Sequence, residues 1–140
     1  MRLLALDVGD RRIGVAMSDP DGILASPFTT LERQAKDRSL EEILRIAEEN
    51  DVAEIIVGIP YLMSGRVGPQ ARITMDYADS LAKQTHLPIR RVDERLSSVQ
   101  AERMLRESGV RPSENKGKID AAAAAIILQA YLDSNRDSSR

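Results

Sequence analysis

The chain has 140 residues, with 20 Lys and Arg against 22 Asp and Glu, no Cys, no Trp, one Phe and three Tyr. That length fits one domain burying roughly two-thirds of the surface its unfolded chain exposes, with an aliphatic core. The absence of cysteine excludes disulfides and thiolate metal sites. The slightly acidic balance argues against a broad basic coat for non-specific DNA binding, and no signal peptide or bilayer-length apolar run is seen, so a cytoplasmic protein without a membrane partner is expected.

Leu3 to Val8 is apolar without alternation, as in a strand buried on both faces. Gly9-Asp10-Arg11 suits a short hairpin turn into a second strand, Arg12–Ser18. Gly14 within that strand points to a bulge or to the close approach of another backbone or ligand. After a turn at Asp19-Pro20-Asp21-Gly22, Ile23 to Leu31 reads as a third strand that Pro27 confines to an edge or a break. Ser39 and Glu42 form a capping box, with Leu40, Ile43, Leu44 and Ala47 at helical spacing up to Asn50.

Glu54 to Pro60 is a β-branched run ended by proline, so a buried strand and a right-handed crossover are expected. A polar loop, Tyr61 to Gly68, leads to Pro69 as a first helical residue, with Ala71, Met75, Ala78 and Ala82 on one apolar face. Thr85 to Pro88 ends that helix, and Ile89 to Asp93 makes a fifth strand. Ser97 and Gln100 suggest a capping box for a helix closed by Gly109. A polar loop from Arg111 to Lys118 precedes a last helix, Ile119 to Leu132, with an apolar face of Ile119, Ala122, Ala123, Ile126, Ile127 and Ala130. This order predicts an α/β protein of ribonuclease H-like fold: a five-stranded mixed sheet flanked by helices, one domain over 1–133, and a flexible polar tail over 134–140.

Asp7 ends the first strand, where a buried carboxylate is costly unless hydrogen-bonded, paired or bound to a cation. Asp93 and Glu94 close the fifth strand, and Asp120 sits in the first turn of the last helix. These positions share one rim if the sheet assembles as predicted. Only one of Asp93 and Glu94 faces Asp7, because neighbours on a strand point to opposite faces. Clustered carboxylates repel unless a cation neutralises them, and oxygen donors suit Mg²⁺ or Mn²⁺. A pair of such ions activates water and stabilises a leaving oxygen in phosphodiester cleavage. The helix dipole alone accounts equally well for Asp120, and pairing with Arg91 or Arg95 for Glu94. Arg12, Arg95, Lys116 and Lys118 adjoin these carboxylates and are candidates to hold a phosphate backbone.

Leu6-Asp7-Val8-Gly9 with Arg12-Ile13-Gly14-Val15-Ala16, Ile56-Val57-Gly58-Ile59-Pro60, Gly65 with Gly68-Pro69-Gln70-Ala71, Val92-Asp93-Glu94-Arg95-Leu96-Ser97-Ser98 and Asn115-Lys116-Gly117-Lys118-Ile119-Asp120 together resemble the YqgF (RuvX) family of bacterial pre-16S ribosomal RNA nucleases. The resemblance spans Leu3 to Leu132 and implies a fold similar to the resolvase RuvC, a role in maturing the 5′ end of 16S rRNA, and Asp7, Glu94 and Asp120 as catalytic, metal-binding residues. One departure is Tyr61-Leu62-Met63-Ser64-Gly65, where the family more often has a Leu-Asn-Met-Asp-Gly-like loop. Its missing Asn and Asp weaken any role of that loop in supplying polar ligands. Precursor 16S rRNA in pre-ribosomal particles is thus the expected partner of a monomer or weak dimer. Competing functions are a Holliday junction resolvase acting on structured DNA, a non-catalytic RNA-binding assembly factor, and a phosphate-binding ATPase-like domain.

Overall fold

The computed structural model describes residues 1–33, 38–95 and 116–138, with the side chains of 116–119 and 136–138 left aside. The elements are β1 (Arg2–Val8), β2 (Arg12–Ser18), β3 (Ala25–Glu32), α1 (Ser39–Glu49), β4 (Val52–Ile59), α2 (Pro69–Gln84), β5 (Ile89–Asp93) and α3 (Lys116–Ser138). The five strands form one sheet in the order β3-β2-β1-β4-β5. β1–β2 and β2–β3 are antiparallel, whereas β1–β4 and β4–β5 are parallel. The expected mixed sheet is therefore present, and the predicted helix between Ser97 and Gly109 lies outside the described residues.

Strand parity divides the core into two layers. Leu4, Leu6 and Val8 of β1 point with Ile55, Val57 and Ile59 of β4 to the side covered by α1 and α2, through Ile43, Ile46, Tyr77, Ala78 and Leu81. Leu3, Ala5, Ala16 and Ile56 point to the other side, against Ala124, Ala125, Ile127, Leu128 and Leu132 of α3. Both faces of β1 are thus covered, which is why its sequence does not alternate. Each fully buried Leu or Ile contributes roughly 1.5–3 kcal/mol.

Several expectations change in detail. β3 starts at Ala25 rather than Ile23, and it is the edge strand that Pro27 requires. Val15 faces Thr29 while Ala16 faces Pro27, so Phe28 is the extra residue of a bulge. The capping box at Ser39 does not form. The Ser39 hydroxyl is buried and shares a 2.7 Å hydrogen bond with the Tyr77 hydroxyl, and Arg38 stands at the N-cap. The buried face of α2 is Ala71, Thr74, Tyr77, Ala78 and Leu81, leaving Ala82 exposed.

The last helix differs most. It begins at Lys116, so Lys116 and Lys118 belong to its first turn and not to the preceding loop. It continues to Ser138, beyond the expected end at Leu132, because nothing after Leu132 breaks a helix and Gln129 Nε2 donates to Asp133 Oδ1 at 3.0 Å. Its buried stripe is Ala121, Ala124, Ala125, Leu128 and Leu132 with Ile126 and Ile127, rather than one centred on Ala122, Ala123 and Ala130. Alanine at every position from 121 to 125 leaves the helical phase undetermined there, and the sheet decides it.

Candidate active site

The parallel strands β1, β4 and β5 end along one edge of the sheet, and α3 begins above it. Asp7 has the parity of Leu3 and Ala5, so its side chain projects to the α3 side. Its partner across β2 is Gly14. A Cβ on Gly14 would lie 1.9 Å from the carbonyl oxygen of Asp120 and 2.9 Å from the nitrogen of Ala121. Glycine there lets the start of α3 rest directly on β2, and that contact carries Asp120 over the carboxyl end of β1. Of the two options that Gly14 offered, close backbone approach is the one at this position; the bulge lies beside it.

β5 settles its own two carboxylates by parity. Val92 packs in the α3 layer, so Glu94, two residues on, is on the side of Asp7, and Asp93 is on the other. The Glu94 amide donates to the Ile59 carbonyl at 3.1 Å, which ties it to the end of β4. Gly58 provides the space for its carboxyl, since a Cβ there would lie 3.5 Å from Glu94 Oε2 and 2.8 Å from Ile127 Cδ1. Sequence reasoning had not singled out Gly58 for this. A glycine interrupting a β-branched run is the signal that was available.

Glu94 and Asp7 are hydrogen-bonded to one another. Burial, followed by the charge of Asp7 and that hydrogen bond, pushes Glu94 up to about 8 from 4.5. Burial also raises Asp7, to about 6 from 3.8; the Glu94 hydrogen bond works against this and the Asp120 charge with it. Near neutral pH Glu94 therefore keeps the proton and donates it to the Asp7 carboxylate.

Asp120 is close enough to be felt by Asp7, but its own carboxylate is engaged elsewhere. Arg12 Nε donates to Asp120 Oδ2 at 2.7 Å, with both side chains partly exposed. The Arg12 turn is itself fixed, because Gly9 donates to the Arg12 carbonyl at 2.9 Å and Arg33 Nη1 to the Gly9 carbonyl at 3.1 Å. Arg95 is used internally as well. Its Nε and Nη2 embrace Asp93 at 2.6–3.1 Å, and this bond holds the Asp93 carboxyl below the usual range. Its Nη1 reaches the carbonyls of Leu62 and Met63, each at 3.4 Å, and its guanidinium lies 5.9 Å from the centre of the Tyr61 ring.

The structure thus brings Asp7 and Glu94 into contact, sets Asp120 beside them in an ion pair with Arg12, and gives Arg95 a scaffolding contact. Among the described residues no three Asp, Glu, His or Cys side chains stand close enough to hold a metal ion together. Asp7 and Glu94 alone still suit a divalent cation: they are hard oxygen donors, partly buried and in mutual contact. No helix among the described residues is long and apolar enough to cross a membrane.

A relative from Chloroflexus aurantiacus bearing the name "Putative pre-16S rRNA nuclease" is 46% identical over 136 residues, covering 97% of this chain and 89% of its own. One of the same name from Nostoc is 47% identical over 137 residues, covering 98% and 91%. The fold is similar to that of Thermus thermophilus RuvC in complex with a Holliday junction substrate, with a TM-score of 0.58 at 14% identity over 94% of this chain and 96% of that one. It is also similar to the fowlpox virus resolvase bound to Holliday junction DNA, with a TM-score of 0.60 at 10% identity over 96% and 99%. At such identities the likeness shows the fold, which is ribonuclease H-like. The profile of the RuvX family, described as Holliday junction resolvase, matches residues 1–134, and the chain belongs to that family.

Proposed function

We propose that this chain is a metal-dependent nuclease that hydrolyses phosphodiester bonds in the 5′ leader of precursor 16S rRNA. The observation that carries this is the Asp7–Glu94 contact, two carboxylates held together at the edge of the sheet at a cost to folding. The relatives' name supplies the substrate class. Asp7 and Glu94 would hold Mg²⁺ or Mn²⁺, with Asp120 as a third donor once it leaves Arg12, and a second ion requires that third carboxylate. A cation bound there supplies charge neutralisation and Lewis acidity toward water and the phosphoryl oxygen.

The chain's own groups have separate tasks. Glu94 must release its proton before the pair accepts a cation, so activity rises with pH through the titration of Glu94. Gly14 and Gly58 hold the acids at fixed spacing by keeping α3 and Glu94 close to the sheet. Arg12 would exchange Asp120 for a phosphate oxygen, and Lys116 and Lys118, in the first turn of α3, are the further candidates to hold the phosphate backbone. Arg95 sets the Tyr61–Gly68 loop through its contacts with Asp93 and the loop carbonyls, and would reach a phosphate only by giving up part of them.

The test is cleavage of purified precursor 16S rRNA by the full chain with Mg²⁺ or Mn²⁺, beside Asp7→Asn. Cleavage that persists in the variant refutes the proposal. A second reading, resolution of Holliday junctions, is favoured by the description of the family. It requires two sites acting in concert, so a protein that stays strictly monomeric at working concentration would contradict it.

A further inference from the structure

The loop that Arg95 holds has an unusual surface. Leu62, Met63, Val67 and Ile73 are all large, apolar and exposed, and Met63 at the tip is 90% exposed. Leu62, Met63 and Val67 lie within six residues of one loop and Ile73 in the helix that follows it; exposed apolar side chains gathered along so short a stretch normally mark a contact surface.

The backbone beneath it is closely tied. Leu62 donates to the Arg66 carbonyl at 3.0 Å, Gly65 donates to the Leu62 carbonyl at 2.7 Å, and Gly65 turns the chain at φ +87°. Arg95 Nη1 caps the Leu62 and Met63 carbonyls, and Leu62 rests on Gly68, where a Cβ would come within 2.8 Å of it. The loop springs from the end of β4, whose last carbonyl also fixes Glu94. An apolar tip is therefore fixed relative to the carboxylate pair while its side chain remains in water. Folding gains nothing from that exposure.

We propose that this loop is a base platform: Met63, flanked by Leu62, packs on the face of an unstacked nucleobase in the bound strand. The proposal rests on the nucleic-acid reading above. Arg66 in the loop and Arg72 in the first turn of α2 are adjacent in sequence to these apolar residues, are exposed, and among the described residues have no carboxylate partner. A cationic fringe around an apolar tip fits a polyanion carrying flat apolar faces better than it fits an apolar protein surface. Apolar side chains that engage base faces favour strands whose bases are already unpaired.

The experiment uses the full chain with Ca²⁺ and two fluorescent RNAs, a blunt duplex and the same duplex with a single-stranded overhang containing 2-aminopurine. Met63→Ala is expected to weaken overhang binding about tenfold, the loss of one stacked base, and to abolish the 2-aminopurine response while leaving duplex affinity unchanged. Met63→Phe is expected to restore both. Unchanged overhang affinity in Met63→Ala, equal loss on both RNAs, or no rescue by Phe would overturn the platform. Because the readout is binding, the outcome is separate from that of Asp7→Asn: base-dependent binding without metal-dependent cleavage would sink the nuclease proposal and leave the platform standing.

Discussion

Replacing Glu94 by Gln tests the electrostatics of the site without any nucleic acid present. In the folded chain Asp7 titrates at about 6 and Glu94 at about 8, against ordinary values of 3.8 and 4.5. Between those limits the folded state holds protons that the unfolded state has released. Stability from this pair is therefore complete at acid pH and is lost as pH rises through the folded values, the reverse of an ion-paired carboxylate. Each tenfold gain in proton affinity on folding is worth about 1.4 kcal/mol, so with the mutual repulsion counted once the loss between about pH 5 and pH 8 is roughly 3–5 kcal/mol. Glu94→Gln keeps a hydrogen-bond donor to Asp7 and adds no charge, so it should remove most of the slope and raise stability near pH 8 by roughly 2–4 kcal/mol. Urea unfolding followed by circular dichroism across that range, at constant ionic strength with a chelator, measures both quantities. Parallel slopes in parent and variant, or a variant weaker than the parent near pH 8, would refute the shared-proton account.

The two glycines under the site should respond differently to alanine. Gly14→Ala meets backbone at 1.9 Å and should lose about 3 kcal/mol or more in urea unfolding as α3 is displaced, whereas Gly58→Ala meets the movable end of Ile127 and should lose less. Calorimetric titration with Ca²⁺ should show binding that tightens from about pH 6 to pH 8 and releases about one proton, read from buffers of different ionisation enthalpy; Asp7→Asn should abolish it. Arg95→Ala should change global stability by no more than about 1 kcal/mol, yet make the chain more readily cut by protease between Tyr61 and Arg66, since the carbonyls of Leu62 and Met63 lose their clamp.

Much of this arrangement could be read from residue order, and the exceptions have physical causes. The unalternating Leu3–Val8 run correctly signalled a strand covered on both sides, and Pro27 correctly signalled an edge. Asp93 and Glu94 could not be separated because strand parity is only relative until one residue's layer is known. Val92 packing in the α3 layer supplies that reference. The phase of α3 was hidden by its alanines, which are indifferent to burial, and the Ser39 cap failed because the hydroxyl is buried against Tyr77. The Arg12–Asp120 pair joins residues 108 apart in sequence and has no local signature. Sequence shows the charge of Arg95 but not the Asp93 carboxylate and loop carbonyls it contacts in the fold.

The small residues and the carboxylate pair explain one another. Ala5, Gly14, Ala16 and Gly58 line the face of the sheet under α3, and Ala121, Ala124 and Ala125 line the face of α3 above it. Close approach of helix to sheet removes water from the edge where Asp7 and Glu94 meet, and that loss of water is the first cause of both raised pKa values. Packing for stability alone would not end this seam in two acids, because a neutral Gln at 94 would satisfy the same hydrogen bond without the electrostatic cost. An acid at a position where a neutral isostere is expected to fold better is explained by what its charge does in the folded chain. If Glu94→Gln proves no more stable than the parent near pH 8, that explanation fails along with the shared proton.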